Sequence, residues 1–263
     1  MNKTKIKKLE KLLSSPQKIS IIPHKNPDGD ALGSSLALMQ YLNNKSHHAV
    51  IISPNDYPEF LKWLPGEKSI LKFSKNEKIS KNILKESSLI FVLDFNDLKR
   101  VGDLNNLIES SKSIKVMIDH HENPENFADL NFSFPEISST CEIVYNIIYS
   151  LDSFFINKDI ATCLYTGIMT DTGSFKYPST TSETHKIISK LIEYGANGSK
   201  IYEKIYDEFS LNKLKLLSIC LNNIRKIEKL PIVYMTLNQK ELDNCYFKKG
   251  DSEGFVNYGL SIK

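Results

Sequence analysis

The stretch His24-Lys-Asn-Pro-Asp28-Gly-Asp30 decides how this chain is read. It follows Lys18 to Pro23, a short run carrying the β-branched residues Ile19, Ile21 and Ile22, and it leads into an apolar helical pattern through Leu32, Leu36 and Met39. The patterns predict a strand, a turn and a helix. In an open α/β sheet such turns lie at the carboxyl ends of strands, where ligands bind. Asp28 and Asp30 bring two carboxylates close together, and both cannot stay ionised in a small space without a cation. A structural reading stands beside this one: Asp30 as a plain helix N-cap, and Asn-Pro-Asp-Gly as ordinary turn chemistry.

Working outward, Lys5 to Leu13 has the spacing of a short helix, and Ala49 to Ile52 that of a second strand, which makes a β-α-β unit with a parallel crossover. His47 and His48 ahead of that strand have no carboxylate beside them and read as a solvated turn. Leu89 to Leu93 is the most apolar run in the chain, the pattern of a strand buried on both faces, and it ends on Asp94. Ile114 to Ile118 is another such strand and ends in Asp119-His120-His121. Asp94 alone could cap the turn Asp94-Phe-Asn-Asp97. Three strand ends carrying His24, Asp28, Asp30, Asp94, Asp119, His120 and His121 make coincidence a poor explanation. Oxygen and imidazole donors without cysteine suit Mn²⁺, Mg²⁺ or Fe²⁺, with zinc also compatible.

Beyond an edge strand expected at Leu130 to Phe134, Ser139-Thr-Cys-Glu142 has the spacing of a capping box ahead of Ile143, Val144, Ile147 and Ile148. Its amides are an alternative phosphate contact. Asp159 to Thr170 is helical and delivers Asp171, a further carboxylate for the cluster. Ser182 to Gly195 is an amphipathic helix with a glycine stop, on which His185 reads as structural. From Ala196 the texture changes to Lys-rich helices, Lys200 to Phe209 and Leu211 to Ile227, and then to a strand pattern at Ile232 to Leu237. This is the pattern of a linker into a second domain.

The totals agree with a globular protein: 263 residues and 41% hydrophobic content are enough for a proper core. Of 34 basic residues only Arg100 and Arg225 are arginine, a composition that looks like drift more than a binding surface, so a net charge of +3 says little about nucleic acid. Cys141, Cys163, Cys220 and Cys245 are scattered without a C-x-x-C pair, which excludes a zinc knuckle or disulfide framework and fits a reducing cytoplasm. The lysine-studded start has no signal-peptide core, and no stretch approaches the ~20 apolar residues of a membrane span.

His24-x-x-x-Asp28-x-Asp30, Asp94 after an apolar strand, Asp119-His120-His121, and Asp171-Thr-Gly173 resemble, in order, the four motifs of the DHH phosphoesterase superfamily. The wording around them, Asp-Gly-Asp-Ala-Leu-Gly-Ser and Tyr165-Thr-Gly-Ile-Met-Thr-Asp171-Thr-Gly-Ser-Phe, is similar to the NrnA-like branch, oligoribonucleases that are also phosphatases of 3'-phosphoadenosine 5'-phosphate. The likeness covers about residues 15 to 260. It implies an α/β fold with a mostly parallel central sheet and helices on both faces. It divides the chain into a DHH catalytic domain (1–193), a helical linker (194–225) and the N-terminal part of a smaller DHHA1-like substrate-binding domain (226–263).

The resemblance also implies roles. His24, Asp28 and Asp94 would hold one Mn²⁺; Asp30, Asp94, His120 and Asp171 would hold a second, with Mg²⁺ or Fe²⁺ as alternatives. Asp94 would bridge, His121 would face the scissile phosphate, and Asp119 would orient the histidines. Two cations about 3.5 to 4 Å apart would activate water and clamp the phosphate. Substrates would be short RNA or DNA oligonucleotides, linear dinucleotides or a nucleotide bisphosphate, with no membrane partner, and a homodimer is compatible. The Gly-Gly-Gly-His motif and the nucleotide-binding arginine of a DHHA1 domain are not among these residues, so metal affinity with weakened turnover is expected. A family II inorganic pyrophosphatase shares the four motifs and is the alternative, as is a metal-binding domain with little activity.

Overall fold

In the computed structural model, which describes residues 2–262, six parallel strands form one sheet in the order β3-β2-β1-β4-β5-β6. The strands are β1 (Lys18–Pro23), β2 (His48–Ser53), β3 (Leu71–Lys72), β4 (Leu89–Leu93), β5 (Ile114–Asp119) and β6 (Leu130–Ser133). The α/β fold with a parallel central sheet is therefore as the sequence predicts. Every residue of β4 is buried, and Ile21, Phe91 and Val116 align across three neighbouring strands. That is why this strand reads as an unbroken apolar run: both faces are covered.

The helices are α1 (Lys3–Leu12), α2 (Gly29–Asn44), α3 (Glu77–Glu86), α4 (Asn105–Glu109), α5 (Thr140–Asp152), α6 (Lys158–Asp171), α7 (Ser182–Glu193) and α8 (Gly198–Tyr202). Ile22, Ile90, Val92 and Met117 pack in one cluster with Leu84 of α3 and Ile108 of α4. The alternate residues Ile21, Phe91 and Val116 are equally buried on the other face. On that side α2 meets α6 at very short range. A Cβ on Gly29 would lie 2.4 Å from Thr170 Oγ1, one on Gly33 2.5 Å from the Cys163 carbonyl, and one on Gly167 2.2 Å from Cys141 Sγ. Glycine at these three places lets α2, α5 and α6 approach more closely than a side chain would allow.

By its internal contacts the chain divides into two compact units. The first runs up to Asp56 and from Leu61 to Ile201; the second holds Tyr57–Phe60 and the residues from Tyr202 onward. Within the second, α9 (Leu211–Asn222), α10 (Gln239–Asn244) and α11 (Val256–Leu260) accompany an antiparallel pair, β7 (Arg225–Lys226) and β8 (Val233–Tyr234). Leu216, Cys220, Cys245 and Phe255 form its small core.

Several local expectations are corrected here. The helix expected at Lys200 to Phe209 is α8 followed by a π-helical turn, Glu203–Asp207. The helix expected to reach Ile227 ends at Asn222, because Arg225 and Lys226 pair with Tyr234 and Val233. That pairing shortens the strand expected at Ile232 to Leu237 to two residues. His47 is not solvated: it is buried, its Nδ1 accepts the Gln17 N–H at 3.2 Å, and burial lowers its pKa.

Candidate metal centre

The sheet order reverses between β1 and β4, so the chain leaving β1 and the chain leaving β4 open a crevice at their carboxyl ends. His24 follows β1, Asp94 follows β4, and Asp119, His120 and His121 close β5 beside it. Asp94 has φ 64°, a left-handed conformation that aspartate tolerates better than most residues. It is held there because its N–H extends the β4–β5 ladder to the Ile118 carbonyl at 3.0 Å. Strain of this kind survives where surrounding bonds enforce it.

The helix α2 begins inside the motif, at Gly29, and is capped by Asp28 and not by Asp30: Asp28 Oδ1 accepts the N–H groups of Asp30 and Ala31, both at 3.0 Å. Its Oδ2 is left facing His24 Nε2 at 3.8 Å. Asp30, fully buried, accepts the Thr140 N–H on Oδ2 at 2.6 Å and the Cys141 N–H on Oδ1 at 2.8 Å. The N-terminal amides of α5 therefore serve a carboxylate of the protein, which overturns the alternative of a phosphate contact there. The capping box is also half made. Ser139 accepts the Glu142 N–H, but the Glu142 carboxylate turns to Ser138 Oγ at 2.7 Å and Thr184 Oγ1 at 3.0 Å.

Around these anchors the predicted residues converge. Asp94 Oδ2 lies 3.4 Å from His24 Nε2, while Asp94 Oδ1 lies 3.5 Å from His120 Nε2. His120 Nε2 is also 3.9 Å from Asp30 Oδ2 and 3.3 Å from Asp171 Oδ2. His24, Asp28 and Asp94 form one group whose donor atoms all lie within 4.8 Å of one another, and Asp30, His120 and Asp171 form another. A third, Asp94 with His120 and His121, satisfies the same distance. His121 Nδ1, however, is taken by Asp119 Oδ1 at 2.7 Å, and its N–H by Asp119 Oδ2 at 2.9 Å. Asp119 thus grips His121 twice; among the described residues it makes no such bond to His120.

The electrostatics follow from four carboxylates and three imidazoles drawn together at the rim of the sheet, with Asp30 and Asp94 buried. Burial, then repulsion from Asp94 and Asp28, pushes Asp171 up to about 8. Burial and repulsion from Asp94 and Asp171 carry Asp30 well above the usual carboxylate range. Burial opposes charge on His24, yet hydrogen bonding and attraction to Asp28 and Asp94 lift it to about 10. Burial likewise works against ionised Asp94, but His24, with help from His120 and His121, holds it at about 2. Hydrogen bonding to Asp119 raises His121, against burial and the nearby Arg100. The donor set fits divalent cations: oxygen and nitrogen ligands, carboxylates that without positive charge must take up protons, and the two oxygens of one aspartate divided between two clusters.

This makes a pH prediction. Asp171 at about 8 and His24 at about 10 both lie above their ordinary values of 3.8 and 6.5. Their contributions to stability are present at low pH and are lost as pH rises from about 4 through 8 for Asp171 and from about 6.5 through 10 for His24. Asp94, depressed to about 2, contributes stability that is fully present above its ordinary 3.8 and is lost only as pH falls through 2, so it does not alter the comparison. A divalent cation replaces the protons, so the gain in melting temperature on adding Mn²⁺ to chelator-treated protein is expected to be larger at pH 8 than at pH 6. An equal or smaller gain at pH 8 contradicts the arrangement.

Two residues of the centre were missed in the sequence. Thr140 donates its N–H to Asp30 and its Oγ1 to Asp94 Oδ1 at 3.0 Å, so one residue ties both acids. Asn96 donates from Nδ2 to the carbonyls of His121 and Glu122, both at 2.9 Å. The start of a helix at Ser139 was the available signal for the first; nothing local announces the second. His185, read as structural, sets its ring 5.6 Å from that of Phe175.

A family model described as DHH family, N-terminal domain, matches residues 18–168. A Thermus thermophilus protein named bifunctional oligoribonuclease and PAP phosphatase NrnA is 30% identical over 187 residues, 71% of this chain and 53% of its own. The Bacillus subtilis protein of the same name is 29% identical over 206 residues, 76% of this chain and 60% of its own. A crystal structure of an exopolyphosphatase-related protein from Bacteroides fragilis superposes with a TM-score of 0.96 at 40% identity, over 100% of this chain and 77% of that one. The chain thus spans roughly half to three fifths of the two curated relatives.

Proposed function

The chain belongs to the DHH family, and from that premise we propose that it is a metal-dependent phosphoesterase releasing nucleoside monophosphates from short oligonucleotides, linear dinucleotides or 3'-phosphoadenosine 5'-phosphate. The observation that carries this reading is Asp94, whose two oxygens point separately at His24 and His120. His24, Asp28 and Asp94 would hold one divalent cation, and Asp30, Asp94, His120 and Asp171 a second, with Mn²⁺ the ion to test first. Bound there, such ions supply an activated water and positive charge on the phosphate oxygens.

The chain's own groups do the rest. Asp30 is kept in place by the two α5 amides, and because each carboxylate oxygen has two lone pairs, these bonds leave acceptor capacity toward the crevice. His121, fixed through Nδ1 by Asp119, keeps Nε2 as the ring nitrogen available to substrate. It would give a proton to the 3' oxygen as the P–O bond to that oxygen breaks and water adds to phosphorus. Residues 226–263 would begin a DHHA1-like substrate-binding domain.

Release of AMP from 5'-phosphorylated diadenylate with and without Mn²⁺ tests the reading, with pyrophosphate as the competing substrate. Preference for pyrophosphate, or no metal dependence, would overturn it. Asp119→Ala should lower turnover by about 10- to 100-fold, with Mn²⁺ content unchanged, because it frees the ring of His121 without removing an ion-holding group. Turnover equal to that of the parent protein would remove Asp119 from the mechanism.

A further inference from the structure

Arginine is scarce in this chain: of 34 basic residues only Arg100 and Arg225 carry a guanidinium. Arg225 directs its own to the carbonyls of Asn222 and Ile224, at 3.0 and 2.7 Å. Arg100 is half-buried, and among the described residues its guanidinium has no hydrogen bond or ion pair. Its neighbour Lys99, by contrast, lies 3.7 Å from Asp97 and 3.9 Å from Glu125.

Arg100 stands on the segment that follows Asp94, and its carbonyl accepts the N–H of Lys25, the residue after His24, at 2.7 Å. The two loops that carry His24 and Asp94 are thereby stapled together at the point where the sheet order reverses. The Lys25 stem runs along Gly102, where a Cβ would meet Cδ at 3.4 Å and Nζ at 3.9 Å; Gly102 itself sits at φ 58°. Among the described residues Lys25 also has no ion-pair partner. Two cationic side chains thus issue from the loops that bear the acidic cluster.

Four carboxylates balance two divalent cations, which leaves no excess positive charge for a phosphate or for the charge that builds on its oxygens as water attacks. A planar guanidinium meets that need better than an ammonium, because it can donate two parallel hydrogen bonds to a phosphate. Resting on the phosphoesterase reading above, we propose that Arg100, assisted by Lys25, holds the non-bridging oxygens of the substrate phosphate under attack.

The test compares the parent chain with Arg100→Lys and Arg100→Met, all loaded with Mn²⁺. Calorimetric titration with AMP should show its dissociation constant rise about tenfold or more in Arg100→Lys, which keeps the charge but loses the fork. Hydrolysis of diadenylate with and without a 5'-phosphate should fall by a similar factor, about 10- to 100-fold, for both substrates. Melting temperature and Mn²⁺ content should not change. Unaltered AMP binding, a loss confined to the 5'-phosphorylated substrate, or a loss of Mn²⁺ would each overturn the assignment. If the parent chain hydrolyses neither substrate, the phosphoesterase reading fails, while the AMP titration still decides for or against Arg100.

Discussion

Asp94→Asn should remove metal-dependent hydrolysis, lowering the rate by about a thousandfold or more, since several kcal/mol of transition-state stabilisation depend on the ions. The substitution is close to isosteric, and asparagine tolerates the left-handed backbone that Asp94 adopts at φ 64°, so the fold should persist. What changes is the chemistry of one oxygen. Asp94 Oδ2 faces His24 at 3.4 Å, and Oδ1 faces His120 at 3.5 Å while accepting from Thr140 Oγ1 at 3.0 Å. An amide must turn its NH₂ group toward one of the two clusters, and a donor there repels a cation. Because both proposed sites share this residue, bound Mn²⁺ should fall from two ions to one or none, counted by elemental analysis after gel filtration. Two ions and an unchanged rate would dissolve the case for a bridging aspartate.

The second large effect is expected at a residue that is not itself a ligand but presses against one. Gly167→Ala places a methyl 2.2 Å from Cys141 Sγ, 2.9 Å from Asp30 Oδ1 and 3.0 Å from Asp30 Cα. Cys141 is fully buried and Asp30 is fixed by two amide bonds, so neither can move aside cheaply. Overpacking of this kind costs about 1–3 kcal/mol. Here it also shifts α2 against α6, the helices that bring Asp30 and Asp171 to His120. Melting temperature should drop by several degrees, and Mn²⁺ affinity should weaken with it. Cys141→Ala in the same chain removes the sulfur that the methyl strikes and should recover part of the stability, a coupling that a double-mutant cycle measures. Additive losses would show that the helix contact is looser than the 2.2 Å approach requires.

The same contact explains a limit of reading the chain alone. Gly29, Gly33 and Gly167 look like ordinary weak spots in helices, yet each marks a place where another element arrives. Asp28 and Asp30 are alike in type and two positions apart; either could cap the helix on propensity. Packing chose Asp28, because Asp30 was drawn to amides 110 and 111 residues away. Glu142 has the spacing to close a capping box, but a buried pair of hydroxyls on Ser138 and Thr184 outcompeted the local amide. In the second unit, helical spacing continued past Asn222, and the chain turned instead to pair Arg225 and Lys226 with β8.

The linear chain by itself determined which side chains end the strands, the period that makes those strands and helices, and the chemistry of the donors: carboxylate and imidazole, without thiolate. These follow from residue type and near-neighbour spacing, which a sequence states directly. Only the tertiary structure decided the strand order that sets His24, Asp94 and His120 side by side, the division of the Asp94 oxygens between two clusters, the gift of the α5 amides to Asp30, and the lack of a partner for the Arg100 guanidinium among the described residues. Each of these depends on which distant groups compete for one donor or one space, and that competition is settled by packing across the whole sheet.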